Sequence, residues 1–381
     1  MSDIAHIPVS EPRIGDAELS SVADALRSGW ISSAGPALTA FETGWAAYSE
    51  RRHGIAVSSG TTALELAIEA LDLEAGDEVI MPTFTIISCA LAVVRAGGTP
   101  VLVDSDPGTW CLDAAQVSER ITPRTRAIMP VHIYGHPCDM DPLLDLSERH
   151  GCAIVEDAAE AHGAEYESRR GASPKWQRCG SFGASSTFSF YANKLITTGD
   201  GGMIVTDDDA LAARFRSQRN HGFRADRRFY HTELAHQYRL TNVQAALGVP
   251  QIARMHDLLA RKHWLGAAYT ERLQALDMLQ LPVQQPWARS TYWMYGVVLA
   301  DDAKIDAEQL AARLATRGVE TRPFFLGMHE QPALTARGLF ADEQYPVAER
   351  LSRRGLYLPS GLGLTEIQLE RVCDAVKEVL S

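Results

Sequence analysis

Apolar residues at Leu19, Val22, Ala23 and Leu26 recur with helical spacing and predict a helix over residues 16–28. Gly29-Trp30-Ile31-Ser32-Ser33 closes it, and a second helix is predicted from Pro36 through Tyr48. Short apolar and β-branched runs then alternate with helical patterns. Residues 55–57 read as a strand before the amphipathic run 63–71, and residues 78–81 as a strand before a helix that reaches Val94. Further strands are predicted at 100–104, 127–131, 153–155, 186–190 and 203–206. Strands alternating with helices predict an α/β fold, in which a large, mainly parallel sheet is covered by helices on both faces. Ligands of such sheets gather beyond the carboxyl ends of the strands.

The pattern then changes. Residues 168–180 read as a polar, basic loop, and a second basic segment carries Arg219, Arg224, Arg227 and Arg228. Helical spacing resumes near Leu240 and predicts a long helix that continues past Pro250 toward Leu273. This divides the chain into a large α/β domain, residues 1–250, and a linking helix with a smaller α+β C-terminal domain, residues 251–381. The smaller domain is predicted to hold strands at 294–299 and 319–325 and helices at 307–315, 347–351 and 365–380.

Composition narrows the choice of partners. The 381 residues, 46% of them hydrophobic, are enough for a large core. A formal net charge of -12 argues against nucleic acid or an anionic membrane as the main partner. An anionic ligand must then be held by local basic groups or backbone N–H groups. The six cysteines form no CxxC pair and no metal-type spacing, so they predict reduced thiols in a cytoplasmic protein and no metal site. Met1-Ser2-Asp3-Ile4 lacks the basic-then-apolar pattern of a signal peptide, and no apolar run is long enough to span a bilayer.

Three local features suggest chemistry. Lys194 follows the run 186–190 and precedes the turn Gly199-Asp200-Gly201-Gly202. A lysine at such an edge of the core is partly desolvated, which lowers its pKa and frees its amine as a nucleophile; a solvated turn lysine is the other reading. Asp157 lies at the end of the strand 153–155. Ser58-Ser59-Gly60-Thr61-Thr62 opens a helix whose free N–H groups and dipole suit a phosphate; an ordinary Ser/Thr cap accounts for the same residues. Together these features are the set that pyridoxal 5'-phosphate chemistry needs. A lysine bonds the aldehyde, a carboxylate keeps the pyridine nitrogen protonated, and a helix N-terminus holds the phosphate.

The stretches Ser58-Ser59-Gly60-Thr61, Glu156-Asp157-Ala158-Ala159-Glu160-Ala161-His162-Gly163, Ser189-Phe190-Tyr191 through Lys194, and Gly199-Asp200-Gly201-Gly202-Met203 occur in this order. Jointly they resemble the DegT/DnrJ/EryC1/StrS family of nucleotide-sugar aminotransferases, over nearly the whole chain from Ile7 onward. The resemblance implies the aspartate aminotransferase (type I) fold. It implies pyridoxal 5'-phosphate as cofactor, with pyridoxamine 5'-phosphate as its aminated form. L-glutamate is the implied donor, 2-oxoglutarate its product, and a homodimer with shared active sites the implied assembly. By position, Lys194 is implied as the lysine that bonds the cofactor, Asp157 as the partner of its ring nitrogen, and Ser189 with the amides of Gly60 and Thr61 as phosphate ligands. Some members carry histidine in place of the lysine and act as dehydratases; Lys194 implies transamination.

Several positions depart from the family pattern. Glu160 stands where many members have a glutamine that bonds the cofactor's phenolic oxygen, so it is expected to be protonated or turned away. Ile86 stands where many members stack an aromatic on the ring. Ala235-His236-Gln237-Tyr238-Arg239 lacks the asparagine that many members lend to the neighbouring subunit's phosphate, leaving Gln237 and Arg239 as candidates. The wording of residues 82–87, 131–137, 322–325 and 329–332 is most similar to the branch that aminates C4 of GDP-4-keto-6-deoxymannose. Trp30, Ser32, Arg219, Arg322 and His329 are the candidate substrate contacts, with packing as the other reading of Trp30, Ser32 and His329. Lys175 and Arg178 belong either to a diphosphate clamp or to a solvated loop. One rival reading is an aminotransferase for a dTDP- or UDP-linked 3-keto or 4-keto sugar. The other is a regulatory protein that binds the cofactor without turnover.

Overall fold

The computed structural model describes residues 5–223, 226–227 and 229–381. Among these residues the strands are β1 (His53–Val57), β2 (Glu78–Pro82), β3 (Thr99–Val103), β4 (Thr125–Ile128), β5 (Ala153–Asp157), β6 (Glu165–Ser168) and β7 (Lys175–Arg178). They continue with β8 (Ser185–Ser189), β9 (Gly202–Thr206), β10 (Leu279–Gln280), β11 (Ala288–Arg289), β12 (Tyr295–Leu299), β13 (Arg322–Pro323) and β14 (Gly355–Leu358).

The main sheet has the order β1-β9-β8-β5-β4-β2-β3. The run from β3 to β8 is parallel, whereas β9 is antiparallel to both of its neighbours. No helix lies between β8 and β9 to carry the chain back across the sheet, so β9 returns beside β8 in the opposite sense. β1 then points the same way as β8. The carboxyl ends of β1, β2, β4, β5 and β8 therefore share one edge. Helices bury the sheet on both faces, which is why β2 and β9 are buried along their whole length and mostly apolar. On one face Trp45 is fully buried and packs edge-on against Phe188 and Phe190. On the other face Leu64, Ile68, Ile80, Val93 and Val103 join one core.

The helix predicted at 16–28 forms as Asp16–Ser28, but it is turned differently from the apolar pattern. Leu19 and Leu26 are 62% and 57% exposed, while Glu18 and Ala25 are buried. Glu18 is accommodated because its carboxylate accepts from the Gly15 N–H at 2.8 Å and from the Arg254 guanidinium at 2.6 Å. The single helix predicted past Pro250 is two helices, Asn242–Ala253 and Met255–Leu273, broken at Arg254. The predicted loop 168–180 contains most of a hairpin, since β6 and β7 pair with each other and β11 pairs with β6. The strand predicted at 319–325 shrinks to β13, and Val319 instead bridges Ile7. The small sheet β10-β12-β14-β13 packs with Tyr269, Leu310 and Val372, and Ile7 is buried in the same core. Arg224 and Arg228 of the basic segment lie outside the described residues. Among the described residues no helix is long and apolar enough to cross a membrane.

Candidate active site

Strand β5 ends in two consecutive carboxylates, which strand geometry sends to opposite faces. Glu156 is fully buried on one side. It accepts from Ser186 Oγ at 2.8 Å, from the Phe182 N–H at 3.0 Å and from the Gly180 N–H. His132 Nδ1 accepts from the Cys138 N–H, so its Nε2 carries the proton and donates to Glu156 at 2.7 Å. Cys179 completes a compact group with His132 and Glu156. The carboxylate and both ring nitrogens already have partners, so this group is a structural lock between β5 and the turn before β8.

Asp157 faces the other way, into a cavity of about 320 Å³ at the shared strand edge. Its Oδ1 accepts from the Ala159 N–H at 3.0 Å and its Oδ2 from the Cys89 thiol at 3.3 Å. Burial raises its pKa, opposed by the Ala159 N–H, the Cys89 thiol and the Lys194 charge. Lys194 enters the same cavity from the turn after β8. Its Nζ lies 3.8 Å from Glu160 Oε1 and 3.7 Å from the centre of the Trp293 ring. Burial lowers the lysine's pKa, and the Glu160 and Asp157 carboxylates oppose that shift. Glu160 is fixed by its Oε2, which accepts from the Tyr134 N–H at 2.7 Å. Burial raises its pKa to about 7, against the pull of Lys194. An amine and two carboxylates are thus gathered in one partly dry space, where burial disfavours the charge on each and their neighbours oppose that effect.

The opposite wall is the start of the helix Gly60–Glu69. Ser59 caps it: its hydroxyl accepts from the Thr62 N–H at 3.2 Å, and its own N–H donates to Thr62 Oγ1 at 3.1 Å. This reciprocal cap leaves the Gly60 and Thr61 N–H groups without intrahelical acceptors at the positive end of the helix. A side chain at Gly60 would place its Cβ 2.8 Å from Ser189 Cβ, so glycine is what brings the helix start against the end of β8. Thr61 and Ser88 join hydroxyls at 2.9 Å, and Ile86 forms a half-exposed apolar face. Asn193 Oδ1 is buried beside Lys194 without a hydrogen-bond partner among the described residues. The donor set fits a group that carries a phosphate, a carbonyl within reach of an amine, and a basic ring nitrogen.

The DegT/DnrJ/EryC1/StrS aminotransferase family model matches residues 12–377. The chain belongs to this family. It is 42% identical to a GDP-perosamine synthase of Caulobacter vibrioides, over 100% of both chains. It is 37% identical to a GDP-perosamine synthase of Escherichia coli O157:H7, over 99% of each. Spr1654 of Streptococcus pneumoniae, solved in a PLP form, superposes with a TM-score of 0.90 at 25% identity, covering 99% of this chain and 100% of that one. The same protein has also been solved in a PMP form. This DegT/DnrJ/EryC1/StrS member is an enzyme, a pyridoxal 5'-phosphate-dependent aminotransferase.

Lys194, Asp157, Glu160, Gly60, Thr61, Ser189 and Ile86 all line the one cavity. The other candidates do not. Arg219 is tied to Glu42 and to the Ala56 carbonyl at 2.7 Å, which makes it a strut between helix and strand. His329 is buried between Thr83 Oγ1 at 2.9 Å and Glu349 at 3.3 Å. Arg322 pairs with Glu320 at 2.5 Å on the surface. The carbonyls of Trp30 and Ser32 accept from the side-chain amide and backbone N–H of Asn242. Gln237 bridges Asn220, and Arg239 donates to Asn220 Oδ1 at 2.7 Å, outside this chain's own cavity. Lys175 and Arg178 lie in the hairpin, where Arg178 stacks on Tyr48 and donates to its carbonyl at 2.7 Å.

Residues that sequence reasoning missed are Cys89, which donates to Asp157, and Trp293, Phe325 and Tyr357, which reach the cavity from the C-terminal part. A strand-to-helix step after β2 points toward Cys89. No local pattern marks the three aromatics.

Proposed function

We propose that this enzyme moves the amino group of L-glutamate to C4 of GDP-4-keto-6-deoxymannose, releasing 2-oxoglutarate and forming GDP-perosamine. The observation that carries the reading is full-length similarity, at 42% identity, to a GDP-perosamine synthase. Pyridoxal 5'-phosphate, when bound, supplies the electron sink that carries the amine between the two substrates. The Gly60 and Thr61 N–H groups and the Ser189 hydroxyl would hold its phosphate. Asp157, desolvated at the end of β5, would pair as a carboxylate with its protonated ring nitrogen. Lys194 would bond its carbonyl and, as the free amine, would take the proton from the amine-bearing carbon of glutamate and later give one to C4 of the sugar. Burial lowers the lysine's pKa, which favours the neutral amine this requires. Glu160, whose carboxyl burial pushes up to about 7, would in its protonated form donate toward the phenolic oxygen rather than repel it.

The site accepts the diacid and the sugar nucleotide in turn. We place part of each active site at a homodimer interface, with Gln237 and Arg239 reaching the partner's cofactor phosphate. The support is that these residues avoid their own cavity, while Tyr230 and Leu234 of the same segment are 46% and 99% exposed. Mixing a Lys194→Ala subunit with a Gln237→Ala/Arg239→Ala subunit then restores activity. We also place the enzyme in the cytoplasm, where its six free, buried cysteines remain reduced.

The deciding experiment offers glutamate with GDP-, dTDP- and UDP-linked 3-keto and 4-keto sugars and reads the products by mass spectrometry. Preferential formation of the GDP-linked 4-amino sugar is the expected result. Equal or better conversion of a dTDP- or UDP-linked sugar overturns the substrate and leaves the aminotransferase intact.

A further inference from the structure

Lys262 is 3% exposed, in the middle of the helix Met255–Leu273. Burial alone lowers its pKa, to about 7, and among the described residues no charged neighbour offsets the cost. Its Nζ donates to the Trp293 carbonyl at 2.7 Å and to the Ser360 carbonyl. A neutral amine has two N–H donors, so both bonds survive loss of the charge. Neighbouring helix positions grip the same segment. His263 Nε2 meets the Ser290 carbonyl at 3.1 Å. Gly266 leaves room for the Tyr292 ring, which an added Cβ would approach to 2.7 Å. Tyr292 has φ 48°, a left-handed conformation that a non-glycine residue keeps only where its surroundings impose it.

The gripped segment leads directly to the catalytic lysine. Trp293 Nε1 donates to the Asn193 carbonyl at 2.8 Å, and its ring lies 3.7 Å from Lys194 Nζ. We propose that Lys262 is a positioning residue of the active site, holding Trp293 so that the indole stays against the Lys194 amine. The indole face favours a protonated nitrogen over a neutral one, so the ring's position tunes the proton affinity of Lys194 alongside Glu160 and Asp157. A buried amine on the linking helix thereby joins the C-terminal part of the chain to the reacting group.

This rests on Lys194 being the cofactor lysine. Borohydride labelling of the wild-type holoenzyme tests that point separately, because labelling of another lysine sinks the reading of the site itself. The positioning role is tested with holoenzymes of Lys262→Met, Trp293→Leu and the double variant. The readouts are the pH midpoint of the visible absorbance of the Lys194-linked cofactor, and kcat and KM. Each single variant should lower the midpoint by about half a unit or more. Each should also lower kcat by about tenfold, with KM for the sugar nucleotide changed less than about threefold. In the Trp293→Leu background the Lys262 substitution should add little. Fully additive effects, or an unmoved midpoint in Lys262→Met, overturn the proposal. If Lys262→Met fails to fold, Trp293→Leu alone decides: an unshifted midpoint there removes the indole, and with it the role of Lys262.

Discussion

Lys262 makes a stability prediction that does not depend on turnover. Burial holds its native pKa at about 7, against an ordinary 10.5. The sign follows from proton counting. Between pH 7 and 10.5 the unfolded chain binds more protons at this residue than the native one, so stability rises with pH across that window. Integrating the two titrations, the gain from this group between pH 7 and pH 9 is about 2 kcal/mol. Lys262→Met removes the titration. It also leaves the Trp293 and Ser360 carbonyls unpaired, at a cost of about 1–3 kcal/mol each, but that cost does not vary with pH. The informative quantity is therefore the slope and not the level. The assay is guanidinium unfolding of wild type and variant at pH 7, 8 and 9, with saturating cofactor and fixed protein concentration. The stability of wild type relative to the variant should rise by about 2 kcal/mol from pH 7 to pH 9. Parallel pH dependence in the two proteins refutes the argument, because it means that Lys262 titrates in the native state as it does in the unfolded chain.

Lys194→Ala should abolish turnover and the visible absorbance near roughly 400 nm that the lysine-linked cofactor gives, and borohydride should label only the wild-type peptide around residue 194. Asp157→Asn keeps the size of a side chain that is 2% exposed but removes its charge. Turnover should fall by about 10² or more, roughly 3 kcal/mol of transition-state electrostatics, and a near-normal single-turnover rate means another acid pairs with the ring. Glu160→Gln keeps an acceptor for the Tyr134 N–H but removes a group that titrates at about 7. Any limb of the pH–rate profile near neutrality should disappear in this variant, and its persistence assigns that limb to another group.

Much of the site was legible because an α/β chain of this kind delivers the ends of its parallel strands to one edge. Asp157 and Ser189 end strands, and Lys194 and the Gly60–Thr61 turn each follow one, which brings them together once the sheet forms. The motif residues needed only the correct secondary structure, the parallel sense of β5 and β8, and β9 returning antiparallel between β8 and β1. The orientation of faces was not local information. Leu19 and Leu26 have helical spacing, yet the buried side of their helix holds Ala25 and Glu18, whose carboxylate meets Arg254, 236 residues away. Arg219 looked available for an anion until Glu42, 177 residues earlier, took its charge. Trp293 meets Lys194 on a segment that Lys262 bonds and Gly266 leaves room for, and the Asn193 carbonyl it bonds is 100 residues distant. Local periodicity and turn chemistry act over a few residues and determine the elements and their ends. A long side chain is committed by whichever partner packing brings within a few ångströms, and that choice belongs to the tertiary structure.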